Sequence, residues 1–260
     1  MTINEYVNKM FCIKGKTAIV TGGSGSLGNM VATGYALQGA KVMLVDLEEE
    51  RIRQSCEELK KQGCECAYAA GNLTDEETVR AIVDKTVREF GELNILCACH
   101  GFNKPRTIDE QSFEEWKKIM DINTGSIYLL AKYAGEQMIK QEKGGKMIIT
   151  SSVRSKRGYK GYTGYCSSKG AVDMMVQSLA CDLGQYNIQV NSINPSVFRS
   201  ALTAWMWDDT QARDNYTQRI PAGRLGEPED FIGITTFLAS SASDYITASN
   251  YPVDGGYWSN

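Results

Sequence analysis

The stretch Lys16-Thr-Ala-Ile-Val-Thr-Gly-Gly-Ser-Gly-Ser-Leu-Gly28 decides the fold of this chain. Its first six residues form a short apolar run that predicts a buried strand, and the residues after the glycines have helical spacing. The pattern Gly23-x-Gly25-x-x-Gly28 fits a loop that lets a dinucleotide pyrophosphate lie over the helix N-terminus. The stretch therefore predicts a strand, a glycine loop and a helix of the dinucleotide-binding kind.

A second apolar strand, Lys41-Val-Met-Leu-Val-Asp46, follows and ends in an acid. Asp46 comes 18 residues after Gly28, close to the spacing of a carboxylate that binds the ribose hydroxyls. Its negative charge would repel a 2′-phosphate, so the position favours NAD over NADP. The other interpretation is that Asp46 caps the charged helix that follows.

Strand and helix signals alternate over the rest of the chain. Helices are predicted over residues 47–62, 75–90, 111–141 and 163–185, with a break near Asn123; strands are predicted over 64–69, 93–98, 146–150 and 188–193. This alternation predicts an α/β fold, a doubly wound parallel sheet with helices on both faces, in a single domain over residues 1–260. Residues 195–224 form an irregular segment of a length that is typical of substrate-binding lids.

Composition excludes several classes of protein. A net charge of −3 over 260 residues gives no general attraction to nucleic acid, and no window reaches the roughly 18 apolar residues of a membrane span. The N-terminus has no signal-peptide pattern, so the eight cysteines are expected to be reduced thiols of a cytoplasmic protein. Cys64-x-Cys66 and Cys97-x-Cys99 lack metal-site spacing and are interpreted as buried structural residues. With one histidine, His100, no histidine-rich metal site is expected.

The stretch Tyr165-Cys-Ser-Ser-Lys169 carries the predicted chemistry. Its two outer residues lie one turn apart on a predicted helix, so they share a face. A cation beside a phenol favours the phenolate and is expected to lower the tyrosine pKa from about 10. Such a phenol exchanges a proton with an alcohol or ketone, as hydride transfer requires.

The chain contains a second pair with the same spacing, Tyr128-x-x-x-Lys132. The two pairs differ in what precedes them. Ser152 stands thirteen residues before Tyr165, at the end of an apolar strand, and supplies a hydroxyl for a substrate oxygen. Glu115 stands thirteen before Tyr128 and supplies nothing equivalent. We therefore predict that the Tyr128 pair is structural.

Over nearly its whole length the sequence resembles a short-chain dehydrogenase/reductase. The matching residues are Thr21, Gly22, Gly28, Asp46, Asn123, Ser152, Tyr165, Lys169, Asn191, Pro195, Arg224, Gly226, Pro228, Asp230 and Asp254-Gly-Gly256. The resemblance implies a Rossmann-type sheet of about seven strands, a nicotinamide cofactor, and a homotetramer or homodimer. Residues 98–132 are most similar to gluconate- and polyol-oxidising members.

The resemblance also implies the roles of individual residues. Tyr165 would be the acid/base, Lys169 would bind the nicotinamide ribose and lower the tyrosine pKa, and Ser152 would polarise the substrate oxygen. Asn123 would help to hold a proton-relay water. The implied cofactor-binding residues are Gly22, Ser24, Gly25, Ser26, Leu27, Asp46, Leu47, Asn72, Leu73, Ala98, Tyr165, Lys169, Phe198 and Ser200.

Several positions depart from the family pattern. Ser26, Ser196 and Ala248 stand where glycine is usual, Asn72 stands where an adenine-contacting Asp is usual, and Ala98-Cys-His-Gly101 replaces Asn-Asn-Ala-Gly. The Ser26 change affects the phosphate loop, although its other glycines still let the backbone approach a phosphate. None of these changes touches the four predicted catalytic positions.

The predicted substrate side is polar and basic. Its residues are His100, Ser152, Arg154, Tyr159 and Tyr165, with Asn103, Lys104, Arg106, Lys156, Arg157, Lys160 and Tyr162 nearby. Guanidinium groups suit planar carboxylates. We therefore expect an NAD-dependent oxidoreductase that interconverts a secondary alcohol and a ketone on a sugar acid or polyol, with no metal.

Two alternatives stay open. Phe198 and Met206, with Trp205 and Trp207, are able to line an apolar pocket for a hydroxysteroid or a 3-oxoacyl-type substrate; the two tryptophans equally suit a subunit interface. The second alternative is a catalytically silent protein that binds dinucleotide as a sensor or scaffold. The altered glycine loop motivates that alternative, and the complete catalytic set argues against it.

Overall fold

The computed structural model describes residues 2–200 and 203–259. Its strands are β1 Thr17–Thr21, β2 Lys41–Asp46, β3 Cys66–Ala70, β4 Ile95–Ala98, β5 Gly145–Thr150, β6 Ile188–Pro195 and β7 Asn250–Val253. Its helices are α1 Ile3–Phe11, α2 Ser26–Leu37, α3 Glu49–Lys61, α4 Glu76–Phe90, α5 Phe113–Met120, α6 Ser126–Gln141, α7 Thr163–Leu183, α8 Trp205–Asp208, α9 Thr210–Thr217 and α10 Ile232–Ala239.

The seven strands form one parallel sheet in the order β3-β2-β1-β4-β5-β6-β7. The strand order reverses between β1 and β4. On one side of this point the strands run β1, β2, β3, and on the other side they run β4, β5, β6, β7. In open parallel sheets the ligand crevice lies at this point, outside the carboxyl ends of the strands. The predicted doubly wound fold is confirmed, and its crevice lies beside Thr21 and Ala98.

Helices cover both faces of the sheet, which is why the central strands are apolar throughout. One core includes Val79 of α4, Leu130 of α6 and Val176 of α7. The other includes Tyr35 of α2 and Leu238 of α10. Every residue of β1 and β6 is buried. A strand that is held on both faces fixes the position of whatever follows its carboxyl end.

The predicted elements occur close to their expected bounds, and the break near Asn123 is confirmed. There the chain forms one π-helical turn, Asp121–Gly125, between α5 and α6. The interpretation of residues 195–224 as irregular is wrong, because α8 and α9 lie inside this segment. Asp209 caps α9 by accepting a hydrogen bond from the Ala212 amide at 2.9 Å. The side chains of Trp205 and Trp207 lie outside the described residues, so both hypotheses about them stay predictions.

In the part of the chain that the structure describes, no helix is long and apolar enough to cross a membrane. Within the same residues, no three His, Cys, Asp or Glu side chains are grouped so that they could hold a metal ion. The cysteines are free thiols. Cys66 and Cys97 are buried as predicted, whereas Cys64 and Cys99 are partly exposed.

Candidate active site

Three of the four predicted catalytic residues line one cavity of about 330 Å³ at the carboxyl ends of β4, β5 and β6. Ser152 comes just after β5, and Tyr165 and Lys169 lie in the first two turns of α7. Asn123 lies in the π turn behind the cavity wall. Its side chain and that of Lys169 both approach Gly101, with Oδ1 and Nζ each 3.6 Å from the position of a Cβ built there.

Lys169 is buried and held by the backbone of the neighbouring strand. Its Nζ donates a hydrogen bond to the Thr150 carbonyl at 2.9 Å. Burial lowers the pKa of Lys169 to about 8, while the charge of Asp173 acts in the opposite direction. The amine is therefore mostly protonated at neutral pH, and part of its charge is lost a little above it.

Tyr165 does not have the lowered pKa that the sequence predicted. Burial raises the pKa of Tyr165 to about 12, and interaction with the Ser152 hydroxyl offsets only part of this rise. The Lys169 Nζ lies 5.8 Å from the centre of the phenol ring and is directed at the Thr150 carbonyl. The prediction is wrong for these side chains because desolvation is the largest influence on the Tyr165 pKa and the cation that lowers it is Arg154, so Tyr165 is a neutral phenol at pH 7.

Asn123 is fixed by three hydrogen bonds. Its Oδ1 accepts from the Phe102 amide at 2.7 Å, and its Nδ2 donates to the Phe102 carbonyl at 2.8 Å and to the Ser168 hydroxyl at 2.9 Å. π turns inside helices recur at functional sites. This turn joins the segment after β4 to the helix that carries Tyr165 and Lys169.

The Ser152 hydroxyl faces the cavity and accepts a hydrogen bond from the Arg154 amide at 3.1 Å. Because that bond uses an oxygen lone pair, the hydroxyl hydrogen is available to a substrate oxygen or to the Tyr165 phenol. The Ser152 carbonyl accepts from the Asn194 side chain at 3.1 Å. The chain therefore holds Ser152 from both its backbone and its side chain.

The loop between β1 and α2 has a backbone that requires glycine at two positions, Gly22 and Gly28. A Cβ on Gly28 would lie 2.2 Å from the Gly22 carbonyl oxygen, and Gly22 itself has a φ of +70°. Gly25 is the N-cap of α2 and provides no side-chain cap, so the first amides of the helix are left for another acceptor. A close-approach loop with uncapped amides fits a dinucleotide pyrophosphate.

Asp46 is directed at this loop. Its Oδ2 accepts from the Ser24 amide at 2.9 Å and from the Ser24 hydroxyl at 2.6 Å, and its Oδ1 accepts from the Leu47 amide at 2.7 Å. The alternative that Asp46 caps α3 is not what the structure shows, because the N-cap of α3 is Glu48. The carboxylate instead forms one wall of the loop.

The remaining predicted cofactor residues follow the carboxyl ends of the strands. Ser26 and Leu27 begin α2, Asn72 and Leu73 follow β3, Ala98 ends β4, and Phe198 and Ser200 follow β6. Asn72 uses its side-chain oxygen locally, accepting from the Thr74 amide at 3.1 Å and the Thr74 hydroxyl at 2.9 Å. Their roles toward a cofactor stay predictions.

Arg154 lines the cavity although it is only 9% exposed. Its guanidinium lies over the Tyr159 ring, 4.3 Å from the ring centre, and its Nη2 donates to the Tyr257 hydroxyl at 3.2 Å. Among the described residues no carboxylate forms an ion pair with it, which is uncommon for a buried arginine. The site therefore presents a desolvated positive charge to whatever fills the cavity.

Other residues of the predicted basic cluster are used elsewhere. Lys104 pairs with Glu115, Lys156 lies over the Trp258 ring at 4.7 Å, and Arg157 donates to the Tyr257 carbonyl at 2.6 Å. None of these three is part of the cavity lining. Lys104 and Arg157 of the predicted substrate side therefore lie outside the cavity, whereas its residues His100, Asn103, Arg154, Tyr159 and Tyr162 line it.

His100 lines the cavity, but its ring nitrogens are both engaged. Nδ1 contacts the Thr21 hydroxyl at 2.7 Å, and Nε2 contacts the Ser126 hydroxyl at 2.6 Å. Because Ser126 donates to the Ile122 carbonyl, it accepts from Nε2–H, and Thr21 then donates to Nδ1. Burial lowers the pKa of His100 to about 4. Substrate binding by His100 stays a prediction that requires one of these bonds to open.

Sequence reasoning missed two tyrosines, one that lines the cavity and one that contacts Arg154. Tyr216 of α9 lines it, and Tyr257 near the end of the chain stacks on Tyr216 with ring centres 4.9 Å apart. Tyr257 is separated from Arg154 by 103 positions. No local pattern connects residues so far apart, although the aromatic content of both segments was visible.

Comparisons with known proteins agree with this geometry. A family model described as enoyl-(acyl carrier protein) reductase matches residues 22–258. The chain is similar to 5-keto-D-gluconate 5-reductase of Escherichia coli, with 30% identity over 96% of this chain and 98% of that protein. It is also similar to L-rhamnose-1-dehydrogenase of Scheffersomyces stipitis, with 34% identity over 95% and 98%.

Among solved structures, the chain is similar to a gluconate 5-dehydrogenase from Burkholderia cenocepacia in complex with NADP and tartrate. The two share 29% identity and a TM-score of 0.94, over 98% of this chain and 99% of that one. The family model, the curated relatives and the solved structure therefore all match this chain over almost its full length. The chain belongs to the short-chain dehydrogenase/reductase family and is an oxidoreductase that acts on CH–OH groups with a nicotinamide coenzyme.

Proposed function

We propose that the protein interconverts a secondary alcohol and a ketone on a sugar acid or polyol, with NAD as coenzyme. The observation that carries the proposal is the buried Arg154 in the wall of the catalytic cavity, stacked on Tyr159 and without a carboxylate partner among the described residues. The names of the Escherichia coli and Burkholderia cenocepacia relatives support it, since both act on gluconate-type acids.

In the proposed reaction Tyr165 transfers the proton. Because burial raises the pKa of Tyr165 to about 12, the neutral phenol is ready to donate a proton to a ketone oxygen at pH 7. The bound coenzyme supplies the hydride acceptor or donor. Ser152 holds the substrate oxygen through its hydroxyl, and the oxidation direction requires the phenol to lose its proton first.

Lys169 and Asn123 support this proton transfer. Lys169 brings a positive charge within 5.8 Å of the phenol ring centre and thereby favours a negatively charged phenolate during the reaction. Asn123 keeps the end of β4 and helix α7 at a fixed separation through Phe102 and Ser168. We propose that Asn123 also holds the relay water that the family resemblance implies.

We propose NAD because Asp46 occupies the wall of the glycine loop where a 2′-phosphate would approach. Its carboxylate is oriented by Ser24 and suits ribose hydroxyl donors. The Burkholderia cenocepacia relative was solved with NADP, and a comparison of the two coenzymes tests the proposal. We expect kcat/KM to favour NAD by at least about tenfold, and Asp46→Ser to reduce that preference. Equal efficiency of the unmodified enzyme with both coenzymes would contradict the proposal.

The substrate proposal is tested with two panels, one of sugar acids and one of neutral hydrophobic alcohols, on wild type and Arg154→Ala. We expect sugar acids to be preferred, and Arg154→Ala to lower kcat/KM for them by about 10²-fold or more, because a charged hydrogen-bond partner is lost. Lys156→Ala removes a charge from the same segment outside the cavity and is the matched control.

The main alternative is a hydrophobic substrate such as a hydroxysteroid or a 3-oxoacyl compound. The buried side chains of Phe198 and Met206 line the same cavity and favour it. A preference for hydrophobic alcohols, with Arg154→Ala leaving every KM unchanged, would establish this alternative. Tight NAD binding without turnover of any compound in either panel would instead favour a sensor or scaffold.

We also propose that residues 1–260 form one domain, that residues 195–224 act as its lid, and that the protein is a cytoplasmic homotetramer. Phe198, Thr203, Met206 and Tyr216 of the segment line the cavity, which supports the lid. Tyr128 on α6 and Met174 on α7 are 54% and 60% exposed and provide apolar surface for association of these helices. Sedimentation equilibrium of wild type measures the number of subunits.

A further inference from the structure

A carboxylate is buried one helical turn beyond the catalytic lysine. Asp173 follows Lys169 on α7 and is only 6% exposed. Its described hydrogen-bond donors are neutral: Asn194 Nδ2 lies 3.1 Å and 3.0 Å from its two oxygens, and the Ser192 hydroxyl lies 3.2 Å from Oδ1. Burying a charge is costly unless it is compensated, so this carboxylate needs an explanation.

Asn194 connects the carboxylate to the catalytic serine. It is fully buried in β6, and its Nδ2 also lies 3.1 Å from the Ser152 carbonyl and 3.1 Å from the Ser155 hydroxyl. Its Oδ1 lies 3.1 Å from the Ser192 hydroxyl, whose single hydrogen is shared between this oxygen and Asp173 Oδ1. Since β6 is held by the sheet on both sides, Asn194 forms a rigid bridge from α7 to the segment after β5.

The charges around Lys169 come from two elements. Helix α7 contributes Tyr165 and Asp173, and the end of β4 contributes Cys99 and His100. His100 and Tyr165 are neutral at pH 7, because their pKa values lie at about 4 and about 12. The charge of Asp173 is the larger influence that opposes the desolvation of Lys169, and Cys99 acts more weakly in the same direction.

We propose that Asp173 and Asn194 are positioning residues for the oxidoreductase reaction, with separate effects. Asp173 keeps Lys169 protonated inside the buried site, and Asn194 fixes the backbone of Ser152 relative to helix α7. This inference rests on the catalytic roles proposed above for Lys169 and Ser152. Neither Asp173 nor Asn194 lines the cavity, so both act through the residues they hold.

The first test is Asp173→Asn, which keeps the size of the side chain and removes its charge. Without the anion Lys169 loses its proton at lower pH, so we expect the alkaline limb of the kcat profile to move down by about one pH unit. Asp182→Asn removes a charge from an exposed position on the same helix and should leave the profile unchanged. A wild-type profile in Asp173→Asn, with only a lower Tm, would show a merely structural role.

The second test is Asn194→Ala, which removes the bridge and leaves the Ser192 hydroxyl as the described donor to Asp173. We expect kcat to fall by about tenfold or more even well below the alkaline limb, where Asp173→Asn should keep a kcat close to that of wild type. This variant also tests the proposal if Asp173→Asn does not fold. Wild-type kcat in Asn194→Ala would overturn the role of the bridge.

A readout that does not depend on turnover separates this inference from the proposed function. In protein labelled with ¹⁵N-lysine, the Nζ signal that disappears in Lys169→Met is followed by NMR as pH is raised. We expect it to titrate near pH 8 in wild type and at lower pH in Asp173→Asn, even if no substrate of the panels is turned over. Identical titration in the two proteins would overturn the role of Asp173.

Discussion

The two Tyr-x-x-x-Lys pairs of this chain have the same spacing and opposite surroundings. Tyr165 and Lys169 lie on α7 at the carboxyl end of the sheet, where Lys169 is 3% exposed and donates to the Thr150 carbonyl. Tyr128 lies on α6 with 54% of its surface exposed, and Lys132 pairs with Glu76 at 2.9 Å. Position relative to the sheet, and not the local motif, distinguishes them.

The difference shows what burial does to one residue type. Burial lowers the pKa of Lys169 to about 8, whereas hydrogen bonds from Lys132 to Glu76 and Tyr133 raise the pKa of that lysine above its ordinary range. The first amine is thus close to losing its proton near neutral pH, and the second keeps its charge throughout. A lysine whose pKa is shifted by burial inside a cleft is typical of a functional site, whereas an exposed, paired lysine is not.

The largest expected effect is from Tyr165→Phe. The ring preserves the packing while the proton carrier is lost, so kcat should fall by about 10²–10⁴-fold with little change in NAD affinity. Tyr128→Phe is the matched control and should retain at least about half of wild-type activity, since its hydroxyl is not in the cavity. Initial rates and NAD titration measure both. Retention of more than a tenth of wild-type turnover by Tyr165→Phe would refute the assignment.

Replacing the lysines extends the comparison. Lys169→Met removes the cation beside the phenol and the hydrogen bond to Thr150, so kcat/KM should fall by about 10²-fold or more. Weaker NAD binding is also expected, because the family resemblance implies that Lys169 binds the nicotinamide ribose. Lys132→Met should leave both quantities within about twofold. Similar losses in the two variants would mean that the charge of Lys169 acts only on stability.

The sequence could predict that the Tyr165 pair, and not the Tyr128 pair, is catalytic, because each strand and helix that positions Lys169 has a recognisable local sequence pattern. The glycine loop, the acid at Asp46 and the hydroxyl of Ser152 each lie at the carboxyl end of a strand, and parallel strands bring their carboxyl ends together. The catalytic set was therefore predictable once the β-α alternation was recognised. The structure confirms that these residues meet at one edge of the sheet.

What could not be predicted depends on desolvation and on distant contacts. The pKa of Tyr165 rises because of burial, which residue spacing does not reveal. Tyr257, near the end of the chain, accepts a hydrogen bond from Arg154, and Asn194 of β6 donates a hydrogen bond to Asp173 of α7. Asp209 is a residue type that favours the N-cap of a helix, but the apolar residues of α8 directly before it have no pattern that separates α8 from α9.

An intermediate effect is expected from His100, a partly exposed side chain in the cavity wall near Lys169. Its pKa is about 4 in the folded protein and 6.5 as a free side chain, so the unfolded chain binds more protons between these values. Stability should therefore fall as pH decreases from 6.5 to 4, by up to about 3 kcal/mol from this residue. His100→Gln should flatten that part of the profile.

The experiment on His100 is clean because the chain has no other histidine. Urea unfolding at several pH values measures the free energy of unfolding for both proteins, and carboxylates that titrate below pH 5 cancel in the difference. Parallel curves for wild type and His100→Gln would show that His100 is able to accept a proton without breaking its bonds to Thr21 and Ser126.

The smallest expected effect concerns the exposed pair. Glu76 in the first turn of α4 accepts from Lys132 at 2.9 Å and from the Tyr133 hydroxyl, and these bonds lower the pKa of Glu76. A carboxylate with a lowered folded pKa stabilises the protein above its unfolded pKa, and this contribution is lost as pH falls through the folded value. Glu76→Gln should therefore cause a small loss of stability at pH 7 that shrinks as pH falls through the folded pKa of Glu76.

Salt provides the second arm of this test, because exposed ion pairs are screened whereas a buried site is not. The Tm difference between wild type and Glu76→Gln should shrink when NaCl is raised from 0.05 M to 1 M, at unchanged kcat. The Lys169 titration near pH 8 should hardly move over the same range. If salt shifts both alike, the two lysines do not differ in solvation, and the contrast between the two Tyr-x-x-x-Lys pairs loses its physical basis.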